Sequence, residues 1–296
     1  MSSLPEIELF STHLWKDYEL LDSGKGLKLE RFGRYKFVRP EHQAVWNPAL
    51  QPAEWEDVDG VFQPTNEESG GKWQYQRQIE PTWEMHYQDL SFLARTSNSR
   101  HLGVFPEQAS HWDWIREQIS TFPKPVNVLN LFGYTGIASL AAAIAGANVT
   151  HLDASKKTIQ YAKENQRLSR LSGKPVRWII DDALKFVMRE QRRGIHYEAI
   201  ILDPPKFGRG PKGEVWEYFK MLPFLLQEIK PILASKPLFV IITAYAIRAS
   251  ALSLHFAIQE MMGNFKGNLS SGELILIEKS AGRILSMAIT SRWSSL

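Results

Sequence analysis

Asp203 stands where the apolar run Ile200-Ile201-Leu202 meets Pro204-Pro205-Lys206-Phe207. Two prolines cannot extend a buried strand, so the strand stops there, with a carboxylate at its C-terminal tip and a stiff turn behind it. In open α/β sheets ligands bind beyond the carboxyl ends of the strands. The segment Val128-Leu129-Asn130-Leu131-Phe132-Gly133-Tyr134-Thr135-Gly136 has the same logic, an apolar strand running into a glycine turn. Glycine lets the chain turn tightly and lets a ligand approach without a Cβ clash. Asp153 ends the next strand, where a carboxylate can accept both hydroxyl hydrogens of a ribose. Asp181-Asp182-Ala183 ends the third, where an acid can hydrogen-bond an adenine amino group. Glycine and carboxylates at successive strand ends point to a nucleoside cofactor held beside a flat acceptor.

Each residue also has a plainer reading. Gly133 and Gly136 serve equally as turn residues, Asp182 as a helix N-cap, and Asp153 as a loop acid beside the Ser155 cap. Their coincidence at three successive strand ends favours a site. A nicotinamide dehydrogenase would use the same places but needs Gly-x-Gly-x-x-Gly for a pyrophosphate. Gly133-Tyr134-Thr135-Gly136-Ile137-Ala138 is incomplete for that purpose, and a cofactor without phosphates fits better.

The elements that must position these residues alternate from residue 126 onward. Strands are expected at Val126–Leu131, Asn148–Asp153, Val176–Ile180, Tyr197–Asp203 and Leu238–Tyr245. Helices are expected at Ile137–Ala145, from the Ser155 N-cap to about Leu171, and at Ala183–Arg192, Trp216–Leu233 and Ala251–Met262. Glu273–Glu278 and Ile284–Trp293 read as a closing hairpin joined by Ser280-Ala281-Gly282. This order predicts an α/β fold with a doubly wound, mostly parallel seven-stranded sheet covered on both faces. Residues 1–95 read as a small antiparallel β domain for substrate recognition or as a lid. Its expected strands are Arg31–Arg39, with Arg34 and Lys36 on one face and Tyr35 and Phe37 on the other, then Lys72–Ile79 and Thr82–Leu93. Asn47–Gly71 reads as long loops with at most one short strand. Residues 96–296 would form the second domain.

Composition narrows the chemistry. The 296 residues suit one large domain, or one plus a smaller one, and a 44% apolar, 23% charged chain is ordinary for a globular protein. A net charge of +3, from 35 basic and 32 acidic side chains, permits nucleic acid without requiring it. The chain has no cysteine, which excludes disulfides, thiolate metal sites and a cysteine nucleophile; no metal is expected. No apolar run suits a transmembrane helix, and the first ten residues lack a signal pattern, so a cytoplasmic location is the default expectation.

Asn130-Leu131-Phe132-Gly133-Tyr134-Thr135-Gly136, Asp153-Ala154-Ser155 and Leu202-Asp203-Pro204-Pro205-Lys206-Phe207 resemble class I S-adenosylmethionine-dependent methyltransferases. They are most similar to the bacterial large-subunit (23S) ribosomal RNA methyltransferases. His101-Leu102-Gly103-Val104-Phe105-Pro106-Glu107-Gln108 resembles the family's entry segment to the catalytic domain. The resemblance covers about residues 95–296, while the first 90 do not match the RNA-binding module of some relatives. It implies S-adenosyl-L-methionine as cofactor. Gly133 and Gly136 would line its methionine part, Asp153 would hold the ribose, and Asp182 with Ala183 the adenine. Asn130, Phe132, Tyr134, Thr135, Ala154 and Ser155 would also belong to the cofactor site. Phe105 would help close the pocket. Asp203 would lie by the methyl group and the acceptor, with Pro204 and Pro205 shaping the slot and Lys206 beside it.

One departure bears on the chemistry. Relatives that methylate carbon 5 of cytosine need a cysteine nucleophile beyond the fifth strand. Here that stretch is Ile242-Thr243-Ala244-Tyr245-Ala246-Ile247, so a nitrogen or oxygen acceptor is expected. Asp203 could accept a hydrogen bond from an exocyclic amine, whose transfer needs little beyond alignment. RNA, ribosomal RNA foremost, is the expected partner. Arg209 and Lys212 in the loop after the Pro-Pro turn, and Arg34 and Lys36 on the β domain, are candidate phosphate contacts. Tyr35, Phe37, Trp73, Tyr75 and Phe207 are candidate stacking surfaces. A methyltransferase for a small molecule or protein side chain, and an RNA-binding assembly factor without turnover, are the alternatives. The oligomeric state is not legible.

Overall fold

The computed structural model describes residues 4–12, 15–65, 70–123 and 125–296. It divides into two compact units. One comprises Met1–Phe10, Ser110–Leu274 and Ala288–Leu296; the other comprises Ser11–Ala109 and Ile275–Met287. This partition differs from a single cut after residue 95. The N-terminal strand Ile7–Phe10 pairs in the large sheet of the first unit, and the tip of the C-terminal hairpin is grouped with the second.

The first unit is built on one eight-stranded sheet. Its order is Ile7–Phe10, Asn268–Ile277, Ile284–Ser294, Phe239–Ala244, Ala199–Leu202, Asn127–Leu131, Asn148–Asp153 and Val176–Ile180. The eighth strand corrects the expected seven. Ile7–Phe10 runs parallel to Asn268–Ile277, with Ile7 opposite Ser271. It is short and mostly exposed, so no buried alternation marks it in the sequence. The antiparallel member is Ile284–Ser294 against Phe239–Ala244. Both faces are covered because the strands alternate apolar residues to each side. Leu129, Leu131, Leu152, Ile200, Leu202, Val240 and Ile242 pack with Phe186, Leu225 and Ile258 of three helices. Val128, Val149, Ile201, Phe239 and Ile241 pack on the opposite face with Ile115, Ile119, Ala142 and Ala143. These are the two cores of a doubly wound fold.

Local signals set most boundaries. Ser155 caps Lys156–Leu168 by accepting from the Thr158 N–H, and Asp182 caps Ala183–Arg192 by accepting from the Lys185 N–H. The first of these helices stops before the expected Leu171, with Arg170 at φ 56°. The helix expected from Trp216 begins at Tyr218 instead, because Val215–Glu217 pairs with Phe207–Arg209 as a small hairpin.

The second unit carries a five-stranded sheet, in the order Tyr18–Gly24, Leu27–Phe32, Tyr35–Pro40, Gly60–Pro64 and Gly71–Tyr75. It also has a separate hairpin of Thr82–Tyr87 and Leu90–Arg95. The single strand expected over Arg31–Arg39 is two strands turning at Gly33-Arg34, with Gly33 at φ 60°. The strand expected over Thr82–Leu93 likewise turns at Gln88-Asp89, with Gln88 at φ 53°. Lys72–Ile79 is cut short at Tyr75. Asn47–Gly71, part of which lies outside the described residues, contains the short helix Pro52–Glu56 and the strand Gly60–Pro64. The excursion makes Gly60–Pro64 parallel to Tyr35–Pro40, so this sheet is not wholly antiparallel. Its aromatic residues fill the interior: Phe32, Phe37 and Phe92 are fully buried, and Phe37 stacks on Trp83 at 5.6 Å.

Candidate active site

Strand register fixes which loops meet. Leu131 lies opposite both Leu152 and Leu202, and Leu202 opposite Ile242. Asp153 lies opposite Ile180. The residues that follow, Phe132 to Gly136, Asp153 to Ser155, Asp181 to Ala183 and Asp203 to Lys206, therefore leave one rim of the sheet. The structure brings together the strand-end residues that the sequence singles out.

The glycine loop is tightly built. Phe132, Tyr134 and Gly136 have φ of 59°, 51° and 84°. Left-handed backbone at a bulky Phe is uncommon and is held by its surroundings. Here the Phe132 ring lies 4.9 Å from that of Trp216. A Cβ on Gly133 would stand 2.3 Å from Cε1 of His151, and one on Gly136 would stand 2.8 Å from the Ala162 Cβ. Packing thus requires both glycines, and the left-handed turn requires Gly136 as well. Gly133 N–H donates to the Leu152 carbonyl at 3.0 Å.

Asp153 organises the same corner. One carboxylate oxygen accepts from the Tyr134 N–H at 3.0 Å. The other accepts from the Ser155 N–H and the Thr158 hydroxyl, each at 2.8 Å. The carboxylate remains half-buried, with open acceptor capacity for a ribose diol. Ala154 is half-buried and Ser155 exposed beside it.

Other expected cofactor residues have structural duties. Asn130 is buried, and its Nδ2 donates to the Ser139 hydroxyl at 2.9 Å. That hydroxyl meets His151 Nδ1 at 2.8 Å. The Asn130 side chain therefore supports the loop from beneath. Ala183 is packed in the core, and Thr135 is buried with its carbonyl accepting from Asn165 Nδ2 at 2.9 Å. Asp182 caps its helix with one oxygen, and Asp181 is ion-paired with Arg189. Phe105 belongs to the second compact unit, where its ring lies 4.9 Å from that of His101.

On the acceptor side Asp203 is half-buried, Pro204 buried, and Pro205 and Lys206 exposed. The hairpin that follows is tied back to this turn. Trp216 Nε1 donates to the Pro205 carbonyl at 2.6 Å, and Tyr218 N–H to the Lys206 carbonyl at 3.0 Å. Phe207 keeps 54% of its surface exposed at the hairpin's start.

The chain can now be compared with known proteins. A family described as S-adenosylmethionine-dependent methyltransferase matches residues 55–259. A crystal structure of the SAM-dependent methyltransferase from Agrobacterium tumefaciens is 45% identical, with a TM-score of 0.94. The match covers 100% of this chain and 98% of that one. The chain belongs to the S-adenosylmethionine-dependent methyltransferases. It is an enzyme of that class, and S-adenosylmethionine is its methyl donor. A structure from Streptococcus mutans, 16% identical with a TM-score of 0.72 over 94% of this chain and 75% of that one, shares the fold. The ribosomal RNA large subunit methyltransferase K/L of Shewanella frigidimarina is 33% identical over 181 residues, 58% of this chain and 25% of that protein. The corresponding Syntrophotalea carbinolica protein is 34% identical over 117 residues, 39% of this chain and 15% of that protein. This methyltransferase thus spans about a quarter or less of the curated relatives it matches.

The methyltransferase's basic residues differ sharply in availability. Arg31, Arg34, Lys36 and Arg39 are ion-paired with Glu19, Glu80, Asp57 and Glu30 at 3.0, 2.6, 2.8 and 2.7 Å. The expected phosphate contacts Arg34 and Lys36 therefore have their charge offset. Among the described residues no carboxylate pairs with the side chains of Arg209 or Lys212, both exposed. The nearby Glu214 is engaged by Lys185 at 2.5 Å, which lowers its pKa to about 2. Of the expected stacking residues, Phe37 is fully buried, and Tyr35 and Trp73 pack against it. Tyr75 and Phe207 remain exposed.

Sequence reasoning missed His151, Thr158, Trp216 and Tyr218. His151 carries a faint signal, a lone histidine inside an apolar strand directly before Leu152-Asp153. Thr158 sits at the N–H that Ser155 caps, a spacing that puts its hydroxyl within reach of Asp153.

Proposed function

We propose that this methyltransferase modifies a base of structured RNA, ribosomal RNA foremost, at a nitrogen or oxygen atom. The observation that carries the reading is the hairpin growing out of Asp203-Pro204-Pro205-Lys206. It presents an exposed aromatic ring, Phe207, and two cations, Arg209 and Lys212, without carboxylate partners among the described residues. Cations beside an aromatic platform suit a phosphate backbone and a splayed base. The names of the matched Shewanella and Syntrophotalea relatives, which refer to large-subunit ribosomal RNA, agree with it. The chain has no cysteine, so the covalent route to carbon 5 lacks its nucleophile.

The residues present fit the cofactor. The Gly133–Gly136 backbone, set close against His151 and Ala162 because its glycines carry no Cβ, would receive the methionine part, Asp153 the ribose and Asp182 the adenine. Bound there, S-adenosylmethionine supplies an electrophilic methyl group on a positively charged sulfur. Asp203 would accept a hydrogen bond from the acceptor amine and turn its lone pair toward that carbon, while Pro204 and Pro205 keep the carboxylate from swinging away. Lys206 would contact a base carbonyl or a phosphate. Such an enzyme would work where ribosomes are made, in the cytoplasm; no described helix is long and apolar enough to cross a membrane.

The test is transfer of labelled methyl from S-adenosylmethionine into total RNA, protein and small-molecule fractions. Label confined to RNA, at least a hundredfold weaker with Asp203→Ala while cofactor affinity holds within a few fold, is the expected outcome. Label in protein or small molecules would replace the acceptor. Undiminished transfer by Asp203→Ala would remove Asp203 from the chemistry.

A further inference from the structure

Tyr218 is the first residue of the helix Tyr218–Ile229 and is buried, with 4% of its surface exposed. Its ring belongs to the core cluster that also holds Phe186, Leu202 and Leu222. Its hydroxyl is buried as well and has no hydrogen-bond partner among the described residues. A tyrosine placed in an apolar core ordinarily finds a partner for its O–H, because a buried donor left unpaired is destabilising. Phenylalanine would fill the same space at no such cost. The residue's backbone is fixed to the reacting segment, its N–H donating to the Lys206 carbonyl at 3.0 Å. The phenol also lies within the field of the Asp203 carboxylate; burial first, and that charge second, drive its ionisation well above the usual tyrosine range. It is therefore a neutral donor, with its hydrogen uncommitted among the described residues, on the helix that follows the Asp203 turn.

We propose that Tyr218 is a positioning residue: in the acceptor-bound enzyme its hydroxyl donates a hydrogen bond to the Asp203 carboxylate and fixes the orientation in which Asp203 receives the acceptor. The inference rests on the reading that Asp203 meets the acceptor. Acceptor arrival would complete the pair by a small rotation of the Asp203 carboxylate, so the hydroxyl is satisfied when acceptor is present. Tyr218 touches no reacting atom and acts through Asp203.

The experiment compares wild type, Tyr218→Phe, Asp203→Asn and the double variant. Transfer is measured with labelled S-adenosylmethionine into whichever cell fraction the wild type labels. Cofactor affinity and melting temperature are read in parallel. Tyr218→Phe is expected to melt at the same temperature as wild type or higher, to bind cofactor within twofold, and to lose about tenfold in kcat. The double variant is expected to be no slower than Asp203→Asn alone. A Tyr218→Phe enzyme with wild-type kcat, in a series where Asp203→Asn is inactive, overturns the role of Tyr218 and leaves Asp203 standing. Losses that multiply in the double variant also overturn it, because Tyr218 would then act independently. Full activity of Asp203→Asn, or a wild type that labels no fraction, overturns both readings.

Discussion

The loops after Asn127–Leu131 and after Ala199–Leu202 leave the same rim of the sheet and are held in opposite ways. The first is welded to its surroundings. It contains three left-handed residues, presses Gly133 onto His151 and Gly136 onto Ala162, and gives its Tyr134 N–H to Asp153. The second is tied back at its base, through Asp203, Trp216 and Tyr218, and its hairpin loop is held by Lys185 through Glu214. It then runs into a hairpin whose Phe207 and Val215 are about half exposed and whose Arg209 and Lys212 have no carboxylate partners among the described residues. The difference suits what each is proposed to receive. A small donor that is the same at every turnover rewards a rigid, preformed cradle. A macromolecular acceptor must be met by an accessible surface, whose charges are spent on the partner and not on the fold.

If the donor side is as rigid as its packing implies, the smallest enlargement should break it. Gly133→Ala would push a methyl group to 2.3 Å from a fully buried His151 ring that is itself held by Ser139. Neither can yield cheaply, so a stability loss of about 1–3 kcal/mol is expected. Displacement of the loop should weaken S-adenosylmethionine binding by roughly a hundredfold. Denaturant melts and calorimetric titration would measure both. Ordinary cofactor affinity in a folded Gly133→Ala protein would show the cradle to be compliant.

Acid should loosen the donor side next. Burial holds the pKa of His151 down at about 3, against an ordinary value of 6.5. Above pH 6.5 the ring is neutral in folded and unfolded chains alike, and the fold has its full stability. As pH falls from there toward 3 only the unfolded chain takes up the proton, so stability declines across that window. At pH 5 this one ring would account for a loss of about 2 kcal/mol. The check is the urea midpoint at pH 7.5 and pH 5 for wild type and His151→Phe. The variant should lose less between the two, and an equal loss would assign the acid sensitivity to other groups.

How much of this was readable from sequence depends on how local the cause is. Asn148–Asp153, Val176–Ile180, Ala183–Arg192 and Ala251–Met262 stand where their patterning places them, because apolar period and capping residue lie within a few positions of each other. Arg31–Arg39 misleads because the alternation of Arg34 and Lys36 with Tyr35 and Phe37 masks the turn at Gly33-Arg34, across which its phase flips and Phe32 pairs with Tyr35. The strand Ile7–Phe10 exists only through its distant partner Ser271–Leu274. At the site, glycines and carboxylates at strand ends were visible as types. That Asn130 faces Ser139, that His151 lies under Gly133, and that Tyr218 returns to Lys206 all depend on helices and loops folding back. The charge clusters show the same limit: Arg39 reads as a surface cation, yet it is buried against Glu30 across a hairpin whose register no composition reveals.

The subtlest test bears on the acceptor side and uses those charges. If Arg209 and Lys212 meet phosphates, replacing both with Ala should weaken RNA binding without favouring any sequence. It should also flatten the dependence of log affinity on log salt by about one to two units, since a phosphate that no side chain neutralises keeps its counterion. Arg34→Ala and Lys36→Ala should leave that slope unchanged, because Glu80 and Asp57 already offset those charges at 2.6 and 2.8 Å. Measuring binding of ribosomal RNA fragments between low and physiological salt separates the two surfaces. A slope that falls with Arg34 and Lys36 and not with Arg209 and Lys212 would move the nucleic-acid face to the N-terminal unit. It would also mean that surface ion pairs of this kind open readily when phosphate is offered, as their small contribution to stability allows.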